Sequence, residues 1–372
     1  MRVYFDNAAT TPLDPLVLDH MLPIMKEHHG NPSSIHQHGR VVKTYIEEAR
    51  KTIAHHLNAS IGEIFFTSSA TEANNLAIQS AVRDLGIKSI ISSPTEHDCV
   101  LNSVNYVKES NDIKLHMLAV DSEGKIRLEE LEEKIQAADG PVLVSLMHAN
   151  NEIGTLADIE KISQICEEKG AYFHCDTVQS LGKYPVDVSK QRFSFLSGSG
   201  HKFYGPKGIG FIYINSDNII KPMIFGGSQE RNMRAGTENT YGIAGMGKAF
   251  ELSIEAMDAR ADIVSNLRQT FINKLKEIND SIHIISPLDG HRHILSVGFP
   301  KNSKTELLKF NLDIAGVSAS AGSACSSGVE SASHVLSAIG LADAYTAVRF
   351  SFSHHNTLDE IDYTIDQLSK MF

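Results

Sequence analysis

The chain has 372 residues, 42% of them hydrophobic and 21% charged, a make-up that fits a globular protein of roughly two domains. Its formal net charge is −11, with lysines and arginines scattered rather than striped, which excludes direct nucleic-acid binding as a primary activity. The longest apolar runs, such as VLVSLM at 142–147, fall far short of the ~20 residues that span a bilayer, and the opening MRVYFDNAATTP carries no apolar leader; no membrane association and a cytoplasmic location are expected.

From residue 61 short β-branched runs alternate with helical patterns. IGEIFF (61–66) reads as a strand, TEANNLAIQSAVRDLG (71–86) as a helix and IKSIIS (87–92) as a strand. HDCVLNSVNYVKE (97–109) follows as a helix, IKLHMLAV (113–120) as a strand and LEELEEKIQ (128–136) as a helix. PVLVSLMHA (141–149), a helix over 157–169, AYFHCD (171–176), FSFLS (193–197) and GIGFIYI (208–214) complete the series. The alternation predicts α/β architecture: a mostly parallel central sheet with helices on both faces. A long helical pattern over 239–279 then leads to strands HILSVGF (293–299) and AVRFSF (347–352) and a last helix at 357–371, with Thr357 and Glu360 as a capping box. This half reads as a smaller α+β unit. The expected division is a large domain over 12–257, with 1–11 and 258–372 forming a small one.

Cys99, Cys166, Cys175 and Cys325 form no CxxC pair and no zinc-ligand spacing, so four reduced thiols are expected. No HExxH or other metal cluster is present, and the adjacent pairs His28-His29, His55-His56 and His354-His355 read as surface histidines whose rings point apart. No intrinsic metal is expected.

Ligands in open α/β sheets sit beyond the carboxyl ends of the strands. After 61–66 comes TSSATEANN, small hydroxyl residues opening a helix, where free amides and the dipole make an anion site with Thr71 as the hydroxyl contact. The next strand ends supply His97, then Asn150 and Asn151, then Asp176 with Gln179, and finally SGSGHKFYGPKGIG (197–210) with Lys202. That stretch is not a Walker A loop, because Pro206 stands where GK[ST] would continue. No GxGxxG opens a helix after the first strand, which disfavours a dinucleotide fold. Pyridoxal 5′-phosphate fits instead: it needs a lysine for its aldehyde, an acid for its pyridinium nitrogen and a phosphate cup. Lys202, Asp176 on the neighbouring predicted strand and the hydroxyl-rich loops answer those needs.

Ten stretches from residue 5 to 352, among them FDNAATTP, FTSSATEANNLAI, MHANNEIGT, HCDTVQSLGK, SGSGHKFYGPKGIG, GGSQERNMRAGTENT and SASAGSACSSG, resemble the NifS/IscS-like cysteine desulfurases. These are class-V aminotransferases of the fold-type I pyridoxal-phosphate enzymes. The resemblance implies that Lys202 carries the cofactor, Asp176 holds its ring nitrogen protonated and Gln179 bonds its phenolic oxygen. His97 would stack on the ring and move protons. Ala70, Thr71, Ser199, Gly200 and His201 would hold the phosphate, and Thr237 would reach the phosphate of the other subunit of a homodimer. Asn151 and Arg349 would position the substrate carboxylate, a task suited to the planar guanidinium fork.

The run VSASAGSACSSG (317–328) offers almost nothing to pack, the profile of a mobile functional loop over about 317–330. Cys325 in it reads as an accessible nucleophile, whereas Cys99, Cys166 and Cys175 read as packing residues. The implied reaction converts L-cysteine to L-alanine and leaves a persulfide on Cys325, to be passed to an iron–sulfur scaffold or a tRNA-thiolating enzyme. A cluster-bearing partner could also recruit Cys325 as a transient iron ligand. Cys325 separates this reading from a selenocysteine lyase or aminotransferase of the same fold. Lys202 with Asp176 separates it from a non-catalytic sulfur carrier. Two departures stand out: Ser353 follows VRFSF where many relatives have glycine, and the chain ends at Phe372 without a scaffold-binding extension.

Overall fold

The computed structural model describes residues 1–320 and 333–371; Cys325 lies outside the described residues. The chain enters on a short strand, β1 (Val3–Tyr4), and two helices, α1 (Pro15–Glu27) and α2 (Gln37–Leu57). The main sheet follows, built from β2 (Ile64–Thr67), β3 (Ser89–Ser92), β4 (Lys114–Met117), β5 (Val142–Met147), β6 (Tyr172–Asp176), β7 (Phe195–Ser199) and β8 (Gly210–Ile214). Helices α3 (Ala70–Asp84), α4 (Asp98–Ser110), α5 (Leu128–Gln136) and α6 (Ile159–Lys169) connect them.

The spatial order is β2-β8-β7-β6-β5-β3-β4, parallel throughout except that β8 runs antiparallel to both its neighbours. Such a sheet is covered on both faces, which is why VLVSLM of β5 is buried at every position rather than alternating. The register sets Asp176 beside Met147 of β5 and Ser197 of β7, so the ends of three strands share one sheet edge.

The expected strand 61–66 begins later than the sequence pattern indicates. Ser60 and Glu63 form a capping box that winds Ile61–Glu63 into a 3-10 turn, leaving Ile64–Thr67 as strand. The long helical pattern over 239–279 is two helices, α7 (Thr240–Glu255) and α8 (Met257–Ile278), meeting at Ala256. Beyond them come β9 (His283–Ile284), β10 (Ile294–Pro300), α9 (Leu308–Ile314), β11 (Val317–Ser318), α10 (His334–Ala338), β12 (Tyr345–Ser351) and α11 (Leu358–Met371). Here β12-β10-β9 form an antiparallel sheet, and β1 pairs with β11.

Val3 and Phe5 share a core with residues of α8, β10, β12 and α11, Phe5 packing edge-on against Phe271 and Phe352. The helices and strands of the main sheet bury their own clusters, and a small one joins Ile153 to Ile285, Val335 and Ile339. These separate cores support our proposal that 12–257 form one unit and 1–11 with 258–372 the other. Among the described residues no helix is long and apolar enough to cross a membrane.

Candidate active site

Lys202 owes its position to a tight turn. After β7 the chain makes a 3-10 turn over Gly200–Lys202, and Gly205 returns so closely that a Cβ on it would lie 2.8 Å from the Gly200 carbonyl oxygen. Tyr204 takes a positive φ of 66°, which a tyrosine adopts only when its surroundings impose it. The surroundings are the FDNAATTP segment. The Thr11 amide donates to the His201 carbonyl (3.0 Å), the Tyr204 amide to Thr11 Oγ1 (2.8 Å) and the Asp14 amide to the Tyr204 carbonyl (3.0 Å). Lys202 Nζ itself donates to the carbonyls of Ala8 (2.6 Å) and Ala9 (3.0 Å). Burial, reinforced by Lys202, lowers the His201 pKa to about 4, so its ring is neutral and polar rather than cationic.

Asp176 stands buried at the end of β6. Its Oδ2 accepts from Asn74 Nδ2 (2.7 Å) and its Oδ1 from the Val178 amide (3.0 Å). Gln179, on the turn that follows, donates Nε2 to the Ala8 carbonyl at 2.9 Å. His97 is the N-cap of α4, its Nδ1 accepting from the Cys99 amide at 3.1 Å. At the other side α3 begins at Ala70 behind the N-cap Ser69, whose hydroxyl satisfies the Glu72 amide. The amides of Ala70 and Thr71 are left over for a ligand, as first-turn amides are. Gly210 lets β8 approach this turn: a Cβ there would lie 2.8 Å from the Ser69 carbonyl carbon and 3.0 Å from the Ala70 nitrogen.

All these groups face one cleft of about 850 Å³ at the carboxyl edge of the sheet. It brings together Ala70, Thr71, His97, Asn151, Asp176, Gln179, Ser199, His201, Lys202 and Arg349, ten of the residues singled out from sequence. Gly200 stays behind it, its amide bonded to the Ile209 carbonyl at 3.1 Å. Thr237 is exposed and lines a separate hollow with Glu230 and Arg234. Among the described residues no group of histidines, cysteines and carboxylates could hold a metal ion.

A family profile described as Aminotransferase class-V matches residues 3–364. A protein named cysteine desulfurase IscS from Dictyoglomus turgidum is 42% identical over 375 residues, spanning all of this chain and 94% of that one. The chain belongs to the class-V aminotransferases, in their NifS/IscS-like cysteine desulfurase group. Among solved structures, a NifS-like protein superposes with a TM-score of 0.91 at 37% identity, over 100% of this chain and 99% of that one. Another, titled SspA in complex with cysteine, superposes with a TM-score of 0.82 at 33% identity, over 96% and 100%.

Arg349 is already engaged, donating Nη1 to the Asn151 carbonyl (2.7 Å) and Nη2 to Asp6 (2.9 Å), while its buried Nε has no partner among the described residues. Cys99, read as a packing residue, does pack against the core beneath α3 and α4 but also lines the cleft, with Sγ 3.1 Å from His97 Nδ1; burial pushes its thiol up to about 12. Cys166 and Cys175 are buried core residues as expected. The histidine pair at 354 and 355 is also corrected: the rings do not point apart but lie 3.9 Å centroid to centroid, with His354 against Tyr204.

Proposed function

We infer that the protein is a pyridoxal-phosphate-dependent cysteine desulfurase that moves the sulfur of L-cysteine to Cys325 and releases L-alanine. One observation carries the reading. A lysine, a buried aspartate and an open helix N-terminus face a single cleft, in a chain 42% identical to a named cysteine desulfurase. The donor set fits the cofactor end by end. Ala70, Thr71, Ser199 and the neutral His201 offer only uncharged donors and the helix dipole to a phosphate. Asp176 offers an acceptor to a ring nitrogen, and Lys202 lines the same cleft.

Bound there, pyridoxal phosphate supplies an aldehyde that captures amines and a protonated ring that withdraws electrons from the substrate Cα. The chain's own residues do the rest. Asp176, fixed in place by its two donors, would keep the proton on the ring nitrogen. Lys202 would hold the aldehyde of the bound cofactor, and its Nζ is the base that would take the substrate Cα proton. Arg349 takes the substrate carboxylate on its Nε and Nη2, displacing Asp6 from Nη2. The Cys325 thiolate attacks the substrate sulfur: the new S–S bond forms as the Cβ–S bond breaks. The bonding pair remains with the carbon skeleton, which is protonated at Cβ and leaves as L-alanine.

The family resemblance further supports a homodimer with Thr237 serving the neighbouring site, and a sulfur-acceptor protein that collects the persulfide. The test is spectroscopic. Protein purified with pyridoxal phosphate should be yellow, and Lys202→Ala should lose the covalent chromophore while remaining folded. A colourless wild-type protein that takes up no cofactor would sink the reading.

A further inference from the structure

Asn74 lies three residues after Thr71, on the turn of α3 just below the expected phosphate contact, and is fully buried. Its amide spends every hydrogen-bonding group. Nδ2 donates to Asp176 Oδ2 (2.7 Å) and to Cys99 Sγ (3.3 Å), and Oδ1 faces His174 Nε2 (3.0 Å). His174 Nδ1 in turn lies 2.8 Å from Ser145 Oγ.

The polarity of this chain of bonds is determined. A carboxylate only accepts, so the amide must turn its nitrogen toward Asp176 and its oxygen toward His174. His174 Nε2 therefore carries the proton, and Nδ1 accepts from the Ser145 hydroxyl. Burial drives the His174 pKa down to about 4, so the ring is neutral and can occupy this single tautomer. On the other branch Cys99 remains a thiol, accepts from Asn74 and Thr71, and turns its S–H toward His97 Nδ1. That nitrogen also accepts the Cys99 amide, so His97 must carry its proton on Nε2.

We propose that Asn74, oriented by His174, is the positioning residue of this site: one amide holds Asp176 aimed at the ring nitrogen and holds the Cys99 sulfur against His97, whose Nε2–H tautomer the Cys99 backbone amide fixes. The consequence for the reaction is specific. His97 enters the cycle as a hydrogen-bond donor at Nε2 with no free lone pair there, and the first proton abstraction falls to Lys202. The proposal rests on the roles given above to Asp176 and His97, but its hydrogen-bond polarity does not.

The test therefore has two separable parts. Nitrogen–proton correlation spectra of the full-length protein with labelled histidines, assigned with His97→Gln and His174→Gln, should show His174 neutral and protonated on Nε2 at neutral pH, with the neutral form of His97 likewise protonated on Nε2. A His174 signal from the Nδ1–H tautomer or the imidazolium would overturn the proposal. In the second part, cofactor affinity is measured by absorbance titration with pyridoxal phosphate. His174→Gln, which can still donate to Asn74 Oδ1, should stay within about threefold of wild type, whereas His174→Leu should weaken binding roughly tenfold or more. Equal affinity of the two variants, whether both intact or both impaired, would overturn it. Wild-type protein that shows the tautomers but binds no pyridoxal phosphate would refute the proposed function and leave the network standing.

Discussion

Lys183 is the clearest place to test the electrostatics of this site. It is buried in a tight polar pocket lined also by Asn7 and Gln179, and among the described residues its Nζ hydrogen-bonds only Gln179 Oε1, at 3.5 Å. No carboxylate pairs with it among the described residues. Burial first, and the nearby Lys202 second, lower its pKa from 10.5 to about 7. A lysine whose folded pKa is depressed binds its proton more tightly in the unfolded chain, so stability rises with pH between the two values. Each pH unit is worth about 1.4 kcal/mol, so the charged form costs the fold up to roughly 4–5 kcal/mol below the window. Lys183→Met keeps the volume and removes the charge. The variant should be more stable than wild type near neutral pH, and wild type should recover about 2 kcal/mol of the difference between roughly pH 7 and 9. Urea unfolding at the two pH values reads this directly, since every other titrating group is common to both proteins. A stability difference that does not change over that interval would refute the argument.

Asp176→Asn should still take up cofactor but lose turnover by roughly a hundredfold or more, because a neutral amide cannot hold the ring nitrogen protonated; single-turnover absorbance with L-cysteine measures it, and near-normal rates would contradict the role. Cys325→Ser should keep the spectral response to L-cysteine yet form no persulfide; normal sulfide release by this variant under reducing conditions would remove Cys325 from the mechanism. Arg50 and Glu230 form a buried bidentate pair at 2.7 and 2.9 Å, and Glu230 also accepts the Phe66 amide. Glu230→Gln removes the buried charge partner of the guanidinium, leaving it the Ile64 carbonyl and the half-exposed Glu47 at 3.4 Å, so the urea midpoint should fall by the equivalent of about 2–4 kcal/mol. An unchanged midpoint would show that the pair is dispensable.

The parts of the site visible in the sequence are those that stand at strand ends in polar company: Thr71, His97, Asn151, Asp176 and Lys202 all follow apolar runs. The parts that escape it look like core. His174 sits inside AYFHCD, where strand periodicity reads as burial, yet its two-residue spacing from Asp176 puts both on one face of β6. Asn74 is likewise hidden, one of two adjacent asparagines in a polar helix start, and only its three-residue step from Thr71 marks it. Ala8 and Ala9 could not be connected to Lys202, nor Asp6 to Arg349, by any local pattern, because these contacts span more than 190 residues of chain. The break between α7 and α8 falls at Ala256, a strong helix former with no glycine or proline beside it, so helical periodicity runs straight through it.

The most direct test of the whole account is to incubate the cofactor-loaded protein with L-cysteine and analyse both products. The account predicts L-alanine together with one added sulfur on the peptide containing Cys325, and both should vanish in Lys202→Ala. Absence of alanine, or alanine formed while wild-type Cys325 gains no sulfur, would contradict it.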